Sequence, residues 1–145
     1  MKLLLIASIL IFPNILLSQN VYTVSKNSDA DFKNISQVNN AELNPGDIVS
    51  FRSGEKFSDA KLICRKGVTY NSYGGDGKAI LGDPAGSLEL TVEVKKTNVT
   101  LDNLLIYGYK NAQNVIKYSA NYLTVKNCEI IGGQNAHIKL TVGIR

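Results

Sequence analysis

A ten-residue motif occurs twice in this chain, first as Val99-Thr-Leu-Asp-Asn-Leu-Leu-Ile-Tyr-Gly108 and, 24 residues later, as Leu123-Thr-Val-Lys-Asn-Cys-Glu-Ile-Ile-Gly132. Both copies run apolar, Thr, apolar, charged, Asn, apolar, variable, Ile, variable, Gly. A repeat period in the twenties is typical of a solenoid, in which each coil covers the hydrophobic side of its neighbour. The motif therefore predicts stacked coils of short strands.

Each motif follows a segment that reads as a strand. Residues 88–94 alternate apolar and polar side chains, and similar segments occupy residues 114–118 and 138–142. This spacing predicts three strands per coil, with the asparagine of the motif at the bend between the second and the third. Asparagine tolerates the left-handed conformation of tight bends. Asn103 and Asn127 are therefore predicted to stack as an asparagine ladder; the alternative is two separate surface turns.

The first 18 residues have the pattern of a secretory signal peptide. Lys2 supplies a positive charge, residues 3–17 are mostly apolar, and Ser18 is a small residue before the expected cleavage site. The alternative is a membrane anchor, but the apolar run is shorter than the roughly 20 residues a spanning helix needs and is broken by Pro13. We expect a secreted or periplasmic protein with no membrane attachment after cleavage.

The charge of the chain after cleavage bears on its possible partners. Of the 16 basic residues only Lys2 leaves with the signal peptide, so 15 remain against 12 acidic residues. They form no basic cluster of the kind nucleic-acid binding requires.

Cys128 takes the core position that Leu104 has in the first motif, and Cys64 lies more than two repeat periods earlier. We therefore expect both cysteines to be free, since a disulfide needs Cα atoms about 5.5 Å apart.

The segment before the repeats predicts a cap and shorter strands. Residues 21–25 alternate as a strand, and Asp31 is a suitable N-cap for an amphipathic helix over residues 32–42. Further strands are predicted in four segments, which are 48–51, 61–65, 68–71 and 78–81.

Three further segments carry a family resemblance. The run Leu43-Asn-Pro-Gly-Asp-Ile-Val-Ser-Phe-Arg-Ser-Gly-Glu55, followed by Asn71-Ser-Tyr-Gly74 and Ala79-Ile-Leu-Gly82, resembles the amino-terminal portion of the pectate-lyase-like superfamily. The resemblance implies an all-β fold, a right-handed parallel β-helix with an amino-terminal capping α-helix. The implied organisation is a signal peptide at 1–18, a cap with the first strands at 19–87, and regular coils at 88–145.

The resemblance implies a role on extracellular polysaccharide but leaves the type of role open. The superfamily contains polysaccharide lyases, glycoside hydrolases, epimerases and non-catalytic binding or adhesive proteins. In its lyases a Lys or Arg removes a proton next to a uronate carboxylate, which calcium or a basic residue neutralises. The chain is expected to be the amino-terminal fragment of such an enzyme, a non-catalytic binding solenoid, or a truncated inactive product. Calcium is implied by the resemblance alone.

The resemblance implies that a site would lie on the outer face of the first strand in the middle coils, beside long loops. Two carboxylates there, Glu89 and Glu93, make a weak calcium site at best, and the single histidine, His137, has no evident orienting partner. Lys117 and Lys139 occupy equivalent outward positions and form a candidate basic stripe for an acidic sugar, the alternative being charged faces that prevent association. All positions expected to be exposed on this face are Glu89, Thr91, Glu93, Lys95, Lys117, His137 and Lys139.

Four tyrosines add a second candidate contact for sugar. Tyr107, Tyr109, Tyr118 and Tyr122 are expected around one loop, where exposed rings can stack on sugar rings, and the alternative is packing at coil corners. Of these, Tyr107 and Tyr109 join Lys117 and Lys139 as candidate carbohydrate contacts.

The second end of the solenoid has no predicted cap. Leu140, Val142 and Ile144 read as core residues, and an uncovered coil exposes strand edges and apolar surface. We therefore expect the coils to continue beyond residue 145, with any active site there. If the chain is complete, end-to-end self-association is expected instead.

Overall fold

The chain forms three parallel β-sheets wound into a single solenoid. The computed structural model describes residues 19–134 and the backbone of residues 136–140, so the predicted signal peptide, Val142 and Ile144 lie outside the described residues. The elements are β1 (Val21–Val24), α1 (Ile35–Asn40), β2 (Ile48–Arg52), β3 (Lys56–Phe57), β4 (Leu62–Ile63), β5 (Thr69–Tyr73), β6 (Ala79–Leu81), β7 (Val92–Val94), β8 (Val99–Asp102), β9 (Leu104–Tyr107), β10 (Asn114–Tyr118), β11 (Leu123–Lys126), β12 (Glu129–Ile131) and β13 (Ala136–Leu140).

The three sheets run along the solenoid. Sheet A has the order β1-β2-β5-β8-β11, sheet B β12-β9-β6-β3, and sheet C β13-β10-β7-β4. Each coil passes through sheets C, A and B in turn, as the sequence predicts, and every pairing is parallel. Parallel crossovers are right-handed almost without exception. The predicted fold class, an all-β right-handed parallel β-helix, is confirmed.

The two copies of the motif stack directly on each other. Leu123 pairs with Val99 in sheet A, and Ile130 pairs with Ile106 in sheet B. The inward residues of the first copy are fully buried, while those of the second are partly buried against the same core. Each fully buried aliphatic side chain contributes about 1.5–3 kcal/mol of hydrophobic stabilisation. The 24-residue repeat is therefore the unit that builds the core.

Two columns of left-handed residues make the tight turns. Asn103 and Asn127, with φ of 53° and 55°, turn the chain from sheet A to sheet B. Asn98 and Tyr122, with φ of 58° and 59°, stand before the strands of sheet A. Asparagine adopts this conformation at low cost, whereas a bulky tyrosine does so rarely. The predicted bend at the motif asparagine is confirmed, and the sequence analysis missed the second column.

The amino-terminal helix is shorter than predicted and has a different N-cap. It spans Ile35–Asn40 rather than 32–42, and Asn34 caps it by accepting a hydrogen bond from the Gln37 backbone N–H at 2.9 Å. Asp31 instead accepts hydrogen bonds from the backbone N–H and the hydroxyl of Thr23 at 2.7 and 2.8 Å. Asp31 was the wrong choice because its carboxylate is held by β1, and Asp31 lies three residues before the observed N-cap.

Several strands differ from their predicted bounds; the strand predicted over residues 61–65, for example, covers only Leu62–Ile63. The alternating segment 88–94 forms a strand only over Val92–Val94, because residues 82–91 make a loop. The sequence analysis missed β3, a strand of two residues that pairs with β6. The last predicted strand, at 138–142, is observed as Ala136–Leu140.

The remaining predictions about the chain concern its cysteines and its membrane attachment. Cys64 is buried, Cys128 is half-buried, and both are free. Burial raises the pKa of both thiols. Within residues 19–134 and 136–140, no helix is long and apolar enough to cross a membrane. Secretion stays a prediction, because the segment on which it depends lies outside these residues.

Candidate functional site

A polar groove runs across the outer face of sheet C. It has a volume of about 520 Å³, within the size range of small-ligand sites. Strands β7 and β10 form its floor, and two loops from sheet B to sheet C, residues 82–91 and 108–113, form its walls. We call this the sheet C groove; its lining residues are Lys61, Leu88, Glu89, Leu90, Glu93, Asn111, Gln113, Asn114 and Lys117.

Glu93 lines the floor of the groove and takes part in two ion pairs. Its carboxylate oxygens lie 2.8 Å from Nζ of Lys61 and 3.0 Å from Nζ of Lys95. Glu93 is only 6% exposed, whereas both lysine side chains remain substantially in solvent. The predicted exposure of Glu93 is therefore wrong. The side chain points outward, as the alternation requires, but the two lysines cover it.

The ion pairs keep Glu93 ionised. Its pKa is lowered chiefly by the hydrogen bond from Lys61 and then by that from Lys95, and partial desolvation opposes them without reversing the shift. The carboxylate is thus negative at neutral and mildly acidic pH, and its single charge offsets one of the two positive charges of Lys61 and Lys95.

The adjacent coils place lysines next to Glu93. Lys117 is in register with Glu93, and Lys139 is in register with Lys117 on the far side. Neighbouring strands are about 4.8 Å apart. Within the described part of the chain, Lys117 makes no ion pair, so its ammonium group is available to a ligand. The side chains of Lys139 and His137 lie outside the described residues, so the predicted basic stripe stays a prediction.

Amide side chains form one wall of the groove. Asn111 donates from Nδ2 to the hydroxyl oxygen of Tyr109 at 3.1 Å, and its Oδ1 accepts from Nε2 of Gln134 at 3.4 Å. The backbone N–H of Gln134 donates to the carbonyl of Ala112 at 2.8 Å, which ties the loop to the next coil. Gln113 and Asn114 continue this wall. The loop therefore presents amide donors and acceptors from a fixed backbone.

Thr91 fixes the base of the other loop. It is buried, contrary to its predicted exposure, because its hydroxyl donates to the carbonyl of Tyr107 at 2.6 Å. Gly82 lies at the same place, where a Cβ atom would stand 2.1 Å from that carbonyl oxygen. This contact holds the 82–91 loop against the end of β9. Thr91 therefore has a structural role and does not line the groove.

The four tyrosines do not share one loop. Tyr107 ends β9 and Tyr109 lies in the loop before β10. Tyr118, in contrast, is the last residue of β10, and Tyr122 lies in the turn before β11. Tyr109 lines a second, more open depression of about 490 Å³ with Pro84, Ala85, Gly86 and Lys110. Tyr107 is half-buried, and Tyr122 is 76% exposed at the turn into sheet A. The single cluster predicted from sequence is therefore wrong, and only Tyr109 touches the wall of the sheet C groove.

Asn103 and Asn127 lie at the corner between sheets A and B, away from the groove. The Asn127 side chain donates from Nδ2 to a carboxylate oxygen of Asp102 at 2.9 Å, and the backbone N–H of Asn103 donates to the carbonyl of Lys126 at 3.1 Å. The hydroxyl of Ser72, one coil earlier, donates to the Asn103 carbonyl. These bonds join successive coils, while a direct amide-to-amide ladder stays a prediction.

The candidate calcium ligands are not available as a pair. Glu89 is exposed at the rim, but both oxygens of Glu93 face lysines. Across the described ranges, no group of three or more His, Cys, Asp or Glu side chains is placed to hold a metal ion.

Sequence reasoning found part of this groove. It singled out Glu89, Glu93 and Lys117 but missed Lys61 and the amide wall. Lys61 precedes a strand of only two residues outside the repeats, and Asn111 and Gln113 lie in a loop, so no periodic signal marks them. The register of sheet C is what brings these residues together.

Comparisons with family models, with curated proteins and with solved structures gave no match for this chain. What the groove binds is therefore argued from its own chemistry. Two lysines and two glutamates balance in charge, three amides can donate and accept, and Leu88 and Leu90 add apolar surface.

Proposed function

We propose that this chain is a secreted β-helix protein, related to the pectate-lyase-like superfamily, that binds extracellular polysaccharide in the sheet C groove. The observation that carries the proposal is the combination, in one groove, of amide side chains, an available lysine and a small apolar surface. Sugars present hydroxyl groups that both donate and accept hydrogen bonds, and they also present apolar C–H faces. Amides satisfy the first and leucines the second.

The architecture of the site supports a polymer as the ligand. Successive coils repeat the same outer face about every 4.8 Å, so the groove extends along the stack of strands. Solenoids use such extended surfaces to bind long ligands. The lining residues come from β7 and β10, from Lys61 just before β4, and from the loops beside these strands.

The relation to the superfamily and the secreted state rest on different observations. A three-sheet parallel β-helix with asparagine turns and an amino-terminal helix supports the relation to the superfamily. The signal-like pattern of residues 1–18 supports secretion. Both belong to the proposal, together with the role on polysaccharide.

Binding and its location are tested with polysaccharides of defined composition. Affinity electrophoresis in gels containing neutral, methyl-esterified or acidic polymers shows which of them retard the protein. Isothermal titration with oligosaccharides of the retarding polymer then gives affinities. Replacing Asn114 with Ala, or Lys117 with Met, is expected to weaken binding about tenfold, because each removes one hydrogen-bonding group.

The matched control is Lys66→Met, which removes an exposed lysine from a turn outside the groove. It should bind like the wild type. The proposal fails if no polymer retards the protein, or if Lys66→Met weakens binding as much as Lys117→Met. The same samples, followed by the absorbance of unsaturated sugar products, report whether binding is accompanied by lyase activity.

A further inference from the structure

We propose that the depression beside Tyr109 is a second sugar-binding subsite, which an oligosaccharide held in the sheet C groove also reaches. The depression has a volume of about 490 Å³, and its lining residues are Pro84, Ala85, Gly86, Tyr109 and Lys110. The second subsite rests on the proposed function, because its ligand is the same polysaccharide. It adds a binding site outside the groove and makes affinity depend on the length of the sugar chain.

The two loops that wall the sheet C groove also form this depression. The loops begin side by side, because Leu81 pairs with Ile106 in sheet B. They end side by side, because Val92 pairs with Ile116 in sheet C. The depression and the groove therefore lie against the same pair of loops, in consecutive coils.

The linings of the depression and the groove adjoin on both loops. Lys110, in the depression, directly precedes Asn111, in the groove, and the Cα atoms of consecutive residues are about 3.8 Å apart. On the other loop, only Ser87 separates Gly86 from Leu88. A ligand longer than one sugar can therefore contact both sites at once.

One wall of the depression is a turn that Asp83 fixes. The Asp83 carbonyl accepts from the Gly86 N–H at 3.0 Å, and its Oδ1 accepts from the Ala85 N–H at 2.9 Å. Its Oδ2 lies 2.7 Å from Nζ of Lys56, at the start of β3. The turn therefore presents Pro84 and Ala85 as a preorganised apolar surface, so that binding does not have to order it.

The opposite wall carries the ring of Tyr109. Its carbonyl accepts from the Ala112 N–H at 2.9 Å, and its hydroxyl oxygen accepts from Nδ2 of Asn111 at 3.1 Å. Among the described residues, Tyr118 packs against the hydrophobic core but Tyr109 does not. A tyrosine ring offers an apolar face and a polar tip, which match the C–H faces and the hydroxyl groups of a sugar. Lys110 is exposed and adds a hydrogen-bond donor.

Tyr109→Ala tests the second subsite with sugar chains of two lengths. The probes are oligogalacturonates, which are acidic, and cello-oligosaccharides, which are neutral, each of two and of six sugars, titrated calorimetrically. Wild-type protein is expected to bind the six-sugar chain of one series about tenfold more tightly than the two-sugar chain, because a second contact on one ligand raises affinity. Tyr109→Ala should lose about this tenfold, since it removes the aromatic anchor. It should bind the two-sugar chain like the wild type, because the shorter chain occupies the groove alone.

Three variants serve as controls. Tyr109→Phe keeps the ring and loses only the hydroxyl, so it should retain most of the dependence on chain length. Tyr122→Asn removes a tyrosine that is 76% exposed at the turn into sheet A, and it should bind both lengths like the wild type. Lys117→Met changes the groove itself and should weaken binding of both lengths.

Ala85→Gln keeps the test valid if thermal unfolding shows that Tyr109→Ala does not fold. Ala85 is exposed on the opposite wall, so a longer side chain there fills the depression and should weaken binding of the six-sugar chain alone, by several-fold. The second subsite is overturned if wild type gains no affinity from two sugars to six, or if Tyr109→Ala binds the six-sugar chain like the wild type. It is also overturned if Tyr109→Ala weakens both lengths equally, since Tyr109 then only positions Asn111. If neither series binds to wild-type protein, the proposed function itself fails.

Discussion

At the scale of single residues, one column of turns shows which conformations the coil requires. The turn that enters sheet A has Gly46, Gly67, Asn98 and Tyr122 in equivalent positions of successive coils, all with positive φ. Backbone hydrogen bonds join these turns from one coil to the next, for example from the Gly46 N–H to the Gly67 carbonyl at 2.9 Å. Three of the four positions use residues that adopt this conformation readily, and Tyr122 does not.

We expect Tyr122→Asn to stabilise the protein by about 0.5–1 kcal/mol, because it relieves an unfavourable backbone conformation. Little burial is lost, since the ring is 76% exposed. Urea unfolding followed by circular dichroism measures the change. The complementary variant Asn98→Ala should destabilise by a similar amount. A decrease in stability for Tyr122→Asn would show that the ring contributes more than its turn costs.

Gly82→Ala should destabilise the protein by about 2–4 kcal/mol. A Cβ there would stand 2.1 Å from the Tyr107 carbonyl oxygen and 2.9 Å from Cγ2 of Thr91, and φ is +86°. Gly77→Ala is the control, with no atom within 4 Å of its added Cβ, and should change stability by less than about 0.5 kcal/mol. Equal unfolding midpoints for the two variants would contradict this account of the 82–91 loop.

At the scale of elements, α1 acts as a cover for the first strand of sheet C. The Asn39 side chain donates to the Lys61 carbonyl at 2.8 Å and accepts from the Ile63 N–H at 2.9 Å, so its amide substitutes for a neighbouring strand. At the other end of α1, Asp59 accepts from the N–H groups of Ile35 and Ser36 at 3.0 and 2.9 Å. The predicted capping role of the helix thus has a hydrogen-bonding basis, which protects an otherwise unpaired edge.

Asp59→Ala should destabilise the protein by about 1 kcal/mol, the usual effect of losing an N-terminal helix cap. The variant removes hydrogen bonds to Ile35, Ser36 and the Ser36 hydroxyl. Asp29→Ala, at an exposed turn position, is the matched control. Chemical unfolding measures both, and hydrogen exchange should become faster in α1 for Asp59→Ala alone. Unchanged exchange in α1 would show that Asn34 is a sufficient cap.

Prediction from sequence succeeded where the chain repeats. The strands β8 to β12 and the bends at Asn103 and Asn127 were predictable, because a 24-residue period fixes register and asparagine fixes the bend. The start of β7 was not predictable, because alternation in residues 88–91 is the same in a loop as in a strand. In the groove, the burial of Glu93 depends on Lys61 from the preceding coil, a contact that no local pattern encodes.

At the scale of the whole molecule, the carboxyl groups link stability to pH. The pKa values of Asp31, Asp59, Asp83 and Glu93 are all lowered in the folded protein. The main cause for Asp31 is the hydrogen bond from the Thr23 N–H, and for Asp83 and Glu93 it is a hydrogen bond from a lysine. For Asp59, desolvation is the largest single effect and raises the pKa, but the hydrogen bonds from Ser36 and Ile35 together outweigh it. Stability is therefore full above the ordinary values of 3.8 and 4.5 and is lost as pH falls through the lowered ones.

The thermal unfolding midpoint should accordingly decrease as the pH is lowered from about 5 to about 3, because each of these groups takes up a proton as the pH falls. This is roughly the range in which proteins with paired carboxylates unfold in acid. Circular dichroism at a series of pH values measures it. The double variant Asp59→Asn/Glu93→Gln should start from a lower midpoint at pH 7 and decline less with acid. A wild-type midpoint that is constant or rises toward pH 3 would contradict this linkage.

The connections of the coil differ greatly in their freedom to change. A single residue, Asn103, joins β8 to β9, whereas residues 82–91 and 108–113 join sheet B to sheet C. Evolution can therefore lengthen or exchange the latter loops without disturbing the register of any sheet, and the same holds for a protein engineer. New binding preferences can be grafted beside sheet C, for example at Ala85, while the asparagine corner must be inherited unchanged.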